Sequence, residues 1–157
     1  MAGVRPARAG EAKSLTALCL RSKAHWGYDA DFMRLCMPSL TVKEESIAEG
    51  RVLVAIDADG RTIGTVSVGR DGDDAELALM FVDPAAIGGG TGRTLFEAAV
   101  TLARGLGYRR MTILADVNAA PFYERMRARF LRNEPSDAIP GRVLPFYEYD
   151  LTAGVEP

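Results

Sequence analysis

The chain has 157 residues, 48% of them hydrophobic and 25% charged, with a formal net charge of −2. That balance fits one soluble globular domain over residues 1–157 and gives no electrostatic reason to expect nucleic acid. No run approaches the ~18 apolar residues that cross a bilayer, and Met1–Pro6 lacks the apolar core of a signal peptide, so a cytoplasmic protein without membrane contact is expected.

The two cysteines, Cys19 and Cys36, have no Cys-x-x-Cys spacing and are expected to be reduced and buried. A single histidine gives no basis for a histidine-based metal site, and no metal is expected. Val4 to Ala7 reads as a short first strand. From Ala9 or Gly10 to about Lys23 the pattern is helical, with Ala12, Leu15, Leu18 and Cys19 on one face. Ser22 to Tyr28 then holds the only Trp and the only His, Trp26 and His25. A helix is expected to end at Gly27 and another to start after Asp29, an N-cap by type, running through Phe32, Met33 and Leu35 and stopping before Pro38.

Thr41 to Gly50 reads as a short helix bearing Glu44, Glu45 and Glu49. Arg51 to Ile56, Arg61 to Gly69 and Glu76 to Val82 read as an antiparallel meander, turned at Asp57–Gly60 and Arg70–Asp74. In the third strand Leu77, Leu79 and Phe81 alternate with Glu76, Ala78 and Met80, which places Glu76, Ala78 and Met80 on one face. After a glycine turn, Leu95, Ala99, Leu102 and Leu106 recur at helical spacing, and Gly105-Leu106-Gly107 supplies the stop. Met111 to Ala115 is a buried strand by composition. Asn118 to Arg129 reads as a helix with Phe122, Met126 and Phe130 inward and Arg125, Arg129 and Arg132 along a solvated charged face. A proline-punctuated loop from Pro135 to Pro145 leads to a last strand, Phe146 to Leu151. Pattern alone gives alternating strands and helices of α/β or α+β type.

The turn at Ile87-Gly88-Gly89-Gly90-Thr91-Gly92-Arg93 joins a strand to a helix start. Glycines let bare backbone N–H groups approach a bulky anion, and a helix start leaves several of them unpaired beside a partial positive charge. A phosphate or pyrophosphate site follows, with a plain glycine-rich surface turn as the alternative. The Walker loop is excluded because no Lys follows the glycines. The dinucleotide fingerprint begins at Gly88 and Gly90 but meets Arg93 at its third glycine. The Gln/Arg-x-x-Gly-x-Gly/Ala loop of acyl-CoA N-acyltransferases fits at Gly90 and Gly92, with Ile87 in place of its opening residue.

Three blocks, Phe81-Val82-Asp83-Pro84, Gly92-Arg93-Thr94-Leu95-Phe96 and Asp116 to Met126, together with their spacing, resemble the GCN5-related N-acetyltransferase (GNAT) family over roughly residues 50 to 130. The resemblance implies a mixed, mostly antiparallel sheet with helices on both faces, splayed between its fourth and fifth strands to hold acetyl-CoA. It implies that Gly88 to Arg93 cradle the pyrophosphate, that Met80, Phe81 and Val82 offer backbone groups to pantetheine and the oxyanion, and that Asn118 contacts the pantetheine arm. Tyr123 matches the family's general acid, and Glu76 lies on the strand that carries a base in some relatives, with Asp116 and Glu45 as rivals. The expected reaction is direct transfer of an acyl group to a primary amine of a small molecule or a free amino group, without a covalent enzyme intermediate. A non-catalytic CoA-binding module is the alternative.

Trp26 and Tyr28 are expected to line the acceptor groove, with Glu45 nearby, and a homodimer is expected. Arg125, Arg129 and Arg132 have CoA phosphates as their alternative reading. Two departures from the family stand out. Ile87 lacks the loop's basic or amide side chain. Arg127 replaces a helix-ending glycine, which predicts that the helix runs on by about one turn toward Phe130.

Overall fold

A computed structural model describes residues 3–152; Met1, Ala2 and the last five residues of the expected 1–157 domain lie outside the described part. The strands are β1 (Gly3–Pro6), β2 (Val52–Ile56), β3 (Thr62–Asp71), β4 (Asp74–Val82), β5 (Arg110–Leu114), β6 (Arg129–Pro135) and β7 (Val143–Asp150). The helices are α1 (Ala12–Ala24), α2 (Ala30–Cys36), α3 (Glu44–Ala48), α4 (Thr91–Gly105) and α5 (Ala120–Arg125), with 3₁₀ turns at Met37–Leu40 and Pro84–Ala86. The strands form one mixed, mostly antiparallel sheet, as the family resemblance implied, and their order is β1-β2-β3-β4-β5-β7-β6. Every neighbouring pair is antiparallel except β4 and β5. Among the described residues no helix is long and apolar enough to cross a membrane.

The meander forms because β2, β3 and β4 are rich in β-branched and aliphatic residues joined by turn-forming Asp and Gly. One face packs on α4, whose Leu95, Phe96, Ala99 and Ala103 meet Val66, Val68, Ala75 and Leu77. The other packs on α1 and α2, where Leu15, Cys19, Cys36 and Leu40 meet Val52, Val54 and Leu79. Both cysteines are free and buried, and burial pushes the Cys19 thiol up to about 12, which leaves it inert.

Two features of the sheet open it. First, Ser67 faces Leu79 while Val68 faces Leu77, so Ala78 is an extra residue on β4. Such a bulge bends its strand and increases the twist. It also corrects the expected alternation. Ala75 and Leu77 face the α4 side, but beyond the bulge Met80 and Val82 do so, and Leu79 and Phe81 turn to the α1 side. Glu76 therefore does not share a face with Met80. Second, β4 and β5 pair only at Ala75–Met111 and Glu76–Thr112. From Leu77 onward β4 has no strand beside it on that edge, and the two strands part.

The end of α5 is also corrected. The helix stops at Arg125 instead of running on to Phe130. The Arg127 N–H donates to the Glu124 carbonyl and the Ala128 N–H to the Tyr123 carbonyl, a Schellman ending. Arg127 takes the left-handed conformation, φ 71°, that glycine usually supplies. Satisfying the last carbonyls outweighs the steric cost of a side chain there, about 1 kcal/mol. Residues expected on a helix then form β6, with Phe130 half-exposed against the Tyr147 ring at 5.8 Å. Arg127→Gly is expected to raise Tm by about 2–4 °C for that ~1 kcal/mol. A lowered Tm in differential scanning calorimetry would contradict the left-handed ending.

Candidate active site

The opening between β4 and β5 is the floor of a cleft of about 670 Å³. It is walled by the glycine turn and the start of α4, by β4 from Glu76 to Val82, by α5, by the end of α1 and by the β6–β7 loop.

At one end lies the glycine turn. Gly88 (φ 92°) and Gly90 (φ 81°) both require left-handed backbone, and no neighbouring atom stands within 4 Å of where their Cβ atoms would lie. Backbone conformation, not space, demands glycine there. Gly90 caps α4 without any side-chain acceptor. The N–H groups from Gly88 to Arg93 have no hydrogen-bond partner among the described residues. A row of free donors at the start of a 15-residue helix is a receptor for an anion. At Gly92 an added Cβ would touch the Phe122 ring at 3.4 Å, so this glycine sets how closely α4 and α5 approach.

Tyr123 stands across the cleft on α5. An Asx turn starts this segment: Asp116 accepts from the Asn118 N–H at 2.8 Å, and its carbonyl accepts from the N–H groups of Ala119 and Ala120. Tyr123 is only 6% exposed, packed among Phe96, Phe122 and Tyr147. Its hydroxyl forms no hydrogen bond with the described residues, although it lines the cleft. Burial, and secondarily the Asp116 charge, push its pKa up, so it holds its proton at neutral pH.

The opposite end is acidic. Glu76 is half-buried, and burial, with the charges of Asp71 and Asp137, raises its pKa above the usual carboxylate range. It forms no ion pair among the described residues. A carboxylate in that state is a better proton acceptor than an ordinary surface glutamate. Asp116 is the reverse case. Burial alone would raise its pKa, but the hydrogen bond from Lys23 and that from the Asn118 N–H hold it below the usual value. Its oxygens accept from Lys23 Nζ at 2.5 Å and from the Tyr28 hydroxyl at 3.0 Å, while Arg142 lies 3.6 Å away. A carboxylate so committed is a poor base, and its work is to tie α1, the segment before α2, the β5–α5 turn and the β6–β7 loop together. Tyr28 stacks on Phe32 at 4.0 Å, and Arg142 lies over both rings.

The cleft thus brings together Glu76, Met80, Phe81, Val82, Ile87, Gly88, Gly90, Thr91, Gly92, Arg93, Asn118, Tyr123 and Trp26. Trp26 is 53% exposed at the rim, edge-on to His25. Gly89 shapes the turn without lining the cleft. Tyr28 sits behind the wall, its hydroxyl held by Asp116, Asn118 and Arg142, instead of lining a groove. Glu45 does not reach the cleft: α3 turns Ile47 inward and Glu45 outward. Sequence reasoning missed Lys23, Asp137 and Arg142. Lys23 meets Asp116 across 93 residues of chain, and no local pattern signals such a pair. Among the described residues no group of His, Cys, Asp and Glu side chains is arranged to hold a metal ion.

Comparison with solved structures finds the same fold. A GCN5-related N-acetyltransferase of Rhodopseudomonas palustris superposes with a TM-score of 0.75 at 22% identity, covering 94% of each chain. YncA of Salmonella typhimurium, solved with its cofactor acetyl-CoA, gives 0.71 at 22% identity, covering 99% of this chain and 96% of its own. PaiA N-acetyltransferase of Thermoplasma acidophilum, solved with coenzyme A, gives 0.71 at 15% identity, covering 94% and 98%. No curated protein sequence matches the chain. The family model for the acetyltransferase (GNAT) domain matches residues 48–126, which hold the meander, the glycine turn, α4 and the Tyr123 helix. With the opened sheet and its glycine turn, that match makes this chain a member of the GNAT acetyltransferase family.

Proposed function

We propose that the protein transfers an acyl group, acetyl in the first instance, from CoA to a primary amine of a small molecule or a free amino group. The observation that carries this reading is the parting of β4 from β5 between a turn of free N–H groups and the unpartnered Tyr123 hydroxyl. The anion of CoA fits the turn, and the unpaired edge of β4 beyond Glu76 offers backbone groups to an extended pantetheine arm. The thioester then falls between Tyr123 and Glu76.

The acceptor enters as an ammonium ion, because an alkyl amine has a pKa of about 10. Glu76, directly or through a water, takes the proton that frees its lone pair. The nitrogen attacks the thioester carbon, a C–N bond forms and the C–S bond breaks. Tyr123 gives its proton to the departing sulfur, whose thiolate is disfavoured in the same buried surroundings. The phenolate regains a proton from the one the new amide nitrogen releases. No residue carries the acyl group, and orientation of the two substrates supplies the rest of the rate.

The test is thiol release from saturating acetyl-CoA across a panel of amines. Turnover above background with some amine supports the proposal; CoA binding with no turnover on any of them would mark a non-catalytic CoA-binding module. Glu76 makes a further prediction. Activity should rise with pH through its raised pKa, since only the ionised carboxylate accepts a proton. Glu76→Gln should lower kcat/KM by about 10²-fold and remove that limb from the pH profile. An unchanged limb would assign the base to bound water instead.

A further inference from the structure

The β6–β7 loop is one wall of the cleft, and its shape is fixed from within. The Ser136 N–H donates to the Arg142 carbonyl at 2.8 Å, and the Ser136 hydroxyl accepts from the N–H groups of Ala138 and Ile139. Ala138 and Ile139 pack on the α1–α2 side of the core, and Arg142 lies over the Tyr28 and Phe32 rings. Asp137, between these anchors, lines the cleft as Glu76 does.

Neither carboxylate has a cation. Glu76 and Asp137 form no hydrogen bond or ion pair among the described residues, and Asp71 meets only the Thr112 hydroxyl, at 3.3 Å. The charges of Asp71 and Asp137 both act on Glu76, and no cation of the described residues offsets them. Lys23 and Arg142 do not fill that role. Both are turned to Asp116, at 2.5 Å and 3.6 Å, with side chains only 11% and 18% exposed. Like charges gathered at a half-buried carboxylate repel one another, and a cation placed among them relieves that cost. A separate mark of a ligand is the Tyr123 hydroxyl, on a side chain 6% exposed, which opens on the same cleft without a partner.

An acceptor amine brings one positive charge and gives it up to Glu76 before it attacks. A monoamine therefore leaves Asp137 unanswered. A carboxylate on the acceptor would be repelled, with Lys23 and Arg142 both committed elsewhere. A second ammonium group, with a pKa of about 10, stays charged throughout. Cys36, Leu40 and Ala138 also line the cleft and offer apolar surface to methylenes between two nitrogens.

We propose that the acceptor is an aliphatic amine with a second ammonium group, a diamine or longer polyamine, and that Asp137 pairs with the nitrogen that does not react. This rests on the acyl-transfer reading above. The bond changes are the same: the C–N bond forms at the nitrogen beside Glu76, the CoA thiol leaves, and the nitrogen at Asp137 keeps its protons. Asp137 is thus a specificity residue and not the base.

The experiment is thiol release from acetyl-CoA with butylamine, 1,4-diaminobutane and 4-aminobutyrate, in wild type and Asp137→Asn, at low and at moderate salt. Melting curves confirm the fold, and Asp137→Ser serves should the asparagine variant not fold. The ratio of kcat/KM between two acceptors in one protein does not move with a merely structural loss. The expected wild-type ratio of diamine to monoamine is about tenfold, the size of one charge-assisted hydrogen bond, with 4-aminobutyrate below both. The ratio should narrow with salt and fall toward one in the variant. A wild-type ratio near one, or the same ratio in wild type and variant, would overturn the proposal while monoamine turnover left the acyl-transfer reading standing. No turnover with any amine would remove both.

Discussion

Tyr123→Phe is expected to lower kcat by about 10²-fold, within the usual range for loss of a positioned proton donor, while acetyl-CoA still binds. The substitution keeps the ring that packs on Phe96, Phe122 and Tyr147 and deletes only the hydroxyl. In the native protein that hydroxyl opens on the cleft, holds its proton and has no hydrogen bond to the described residues, so its removal leaves no protein group unpaired. The expected signature is a lost rate with retained affinity and an unchanged melting temperature. An unchanged kcat would reduce Tyr123 to a packing residue beside the thioester and leave sulfur to be protonated by water.

Lys23→Met is expected to destabilise the fold by about 3 kcal/mol, the cost typical of leaving half of a buried ion pair behind. Both side chains of the pair are well shielded, at 11% and 14% exposure. For a chain of this length the loss reads as a Tm lower by roughly 6–12 °C. Adding Asp116→Leu should not recover it, because that change also takes the shared acceptor from the Tyr28 hydroxyl, the Asn118 N–H and Arg142. If Lys23→Met leaves Tm unchanged, the tie between α1 and the β5–α5 turn contributes nothing to stability. The same pair sets an acid limit. The Asp116 pKa is depressed in the folded state, so its contribution is fully present above the ordinary aspartate value of about 3.9 and is lost as pH falls through the lower folded value. Without Lys23 the depression shrinks and that loss should begin at higher pH.

The parts of this site that were legible in the sequence are those written locally. The glycine turn, the meander and α4 follow from spacing and turn chemistry, and Tyr123 follows from its place in a recognisable block. Four things were not legible. The bulge at Ala78 has no residue signature, because Ala serves in a regular strand equally well, yet it reassigns the faces of everything after it on β4. The end of α5 was misread because Arg127 fills a position whose usual mark is glycine; the hydrogen bonds of the ending, not the residue type, decide the backbone there. Strand β6 was hidden for the same reason, its Arg129 and Arg132 falling at helical spacing with Arg125. The Asp116 hub joins segments up to 114 residues apart, as in the Arg142–Tyr28 hydrogen bond, and only the folded chain brings them together.

Isothermal titration of the wild-type protein with acetyl-CoA tests the central claim most directly, because every proposed step needs the glycine turn to hold that ligand. Micromolar binding is expected, about −8 kcal/mol, with one ligand per chain. No heat of binding at millimolar acetyl-CoA would contradict the assignment of the β4–β5 cleft as a CoA site and leave the family's fold without its chemistry.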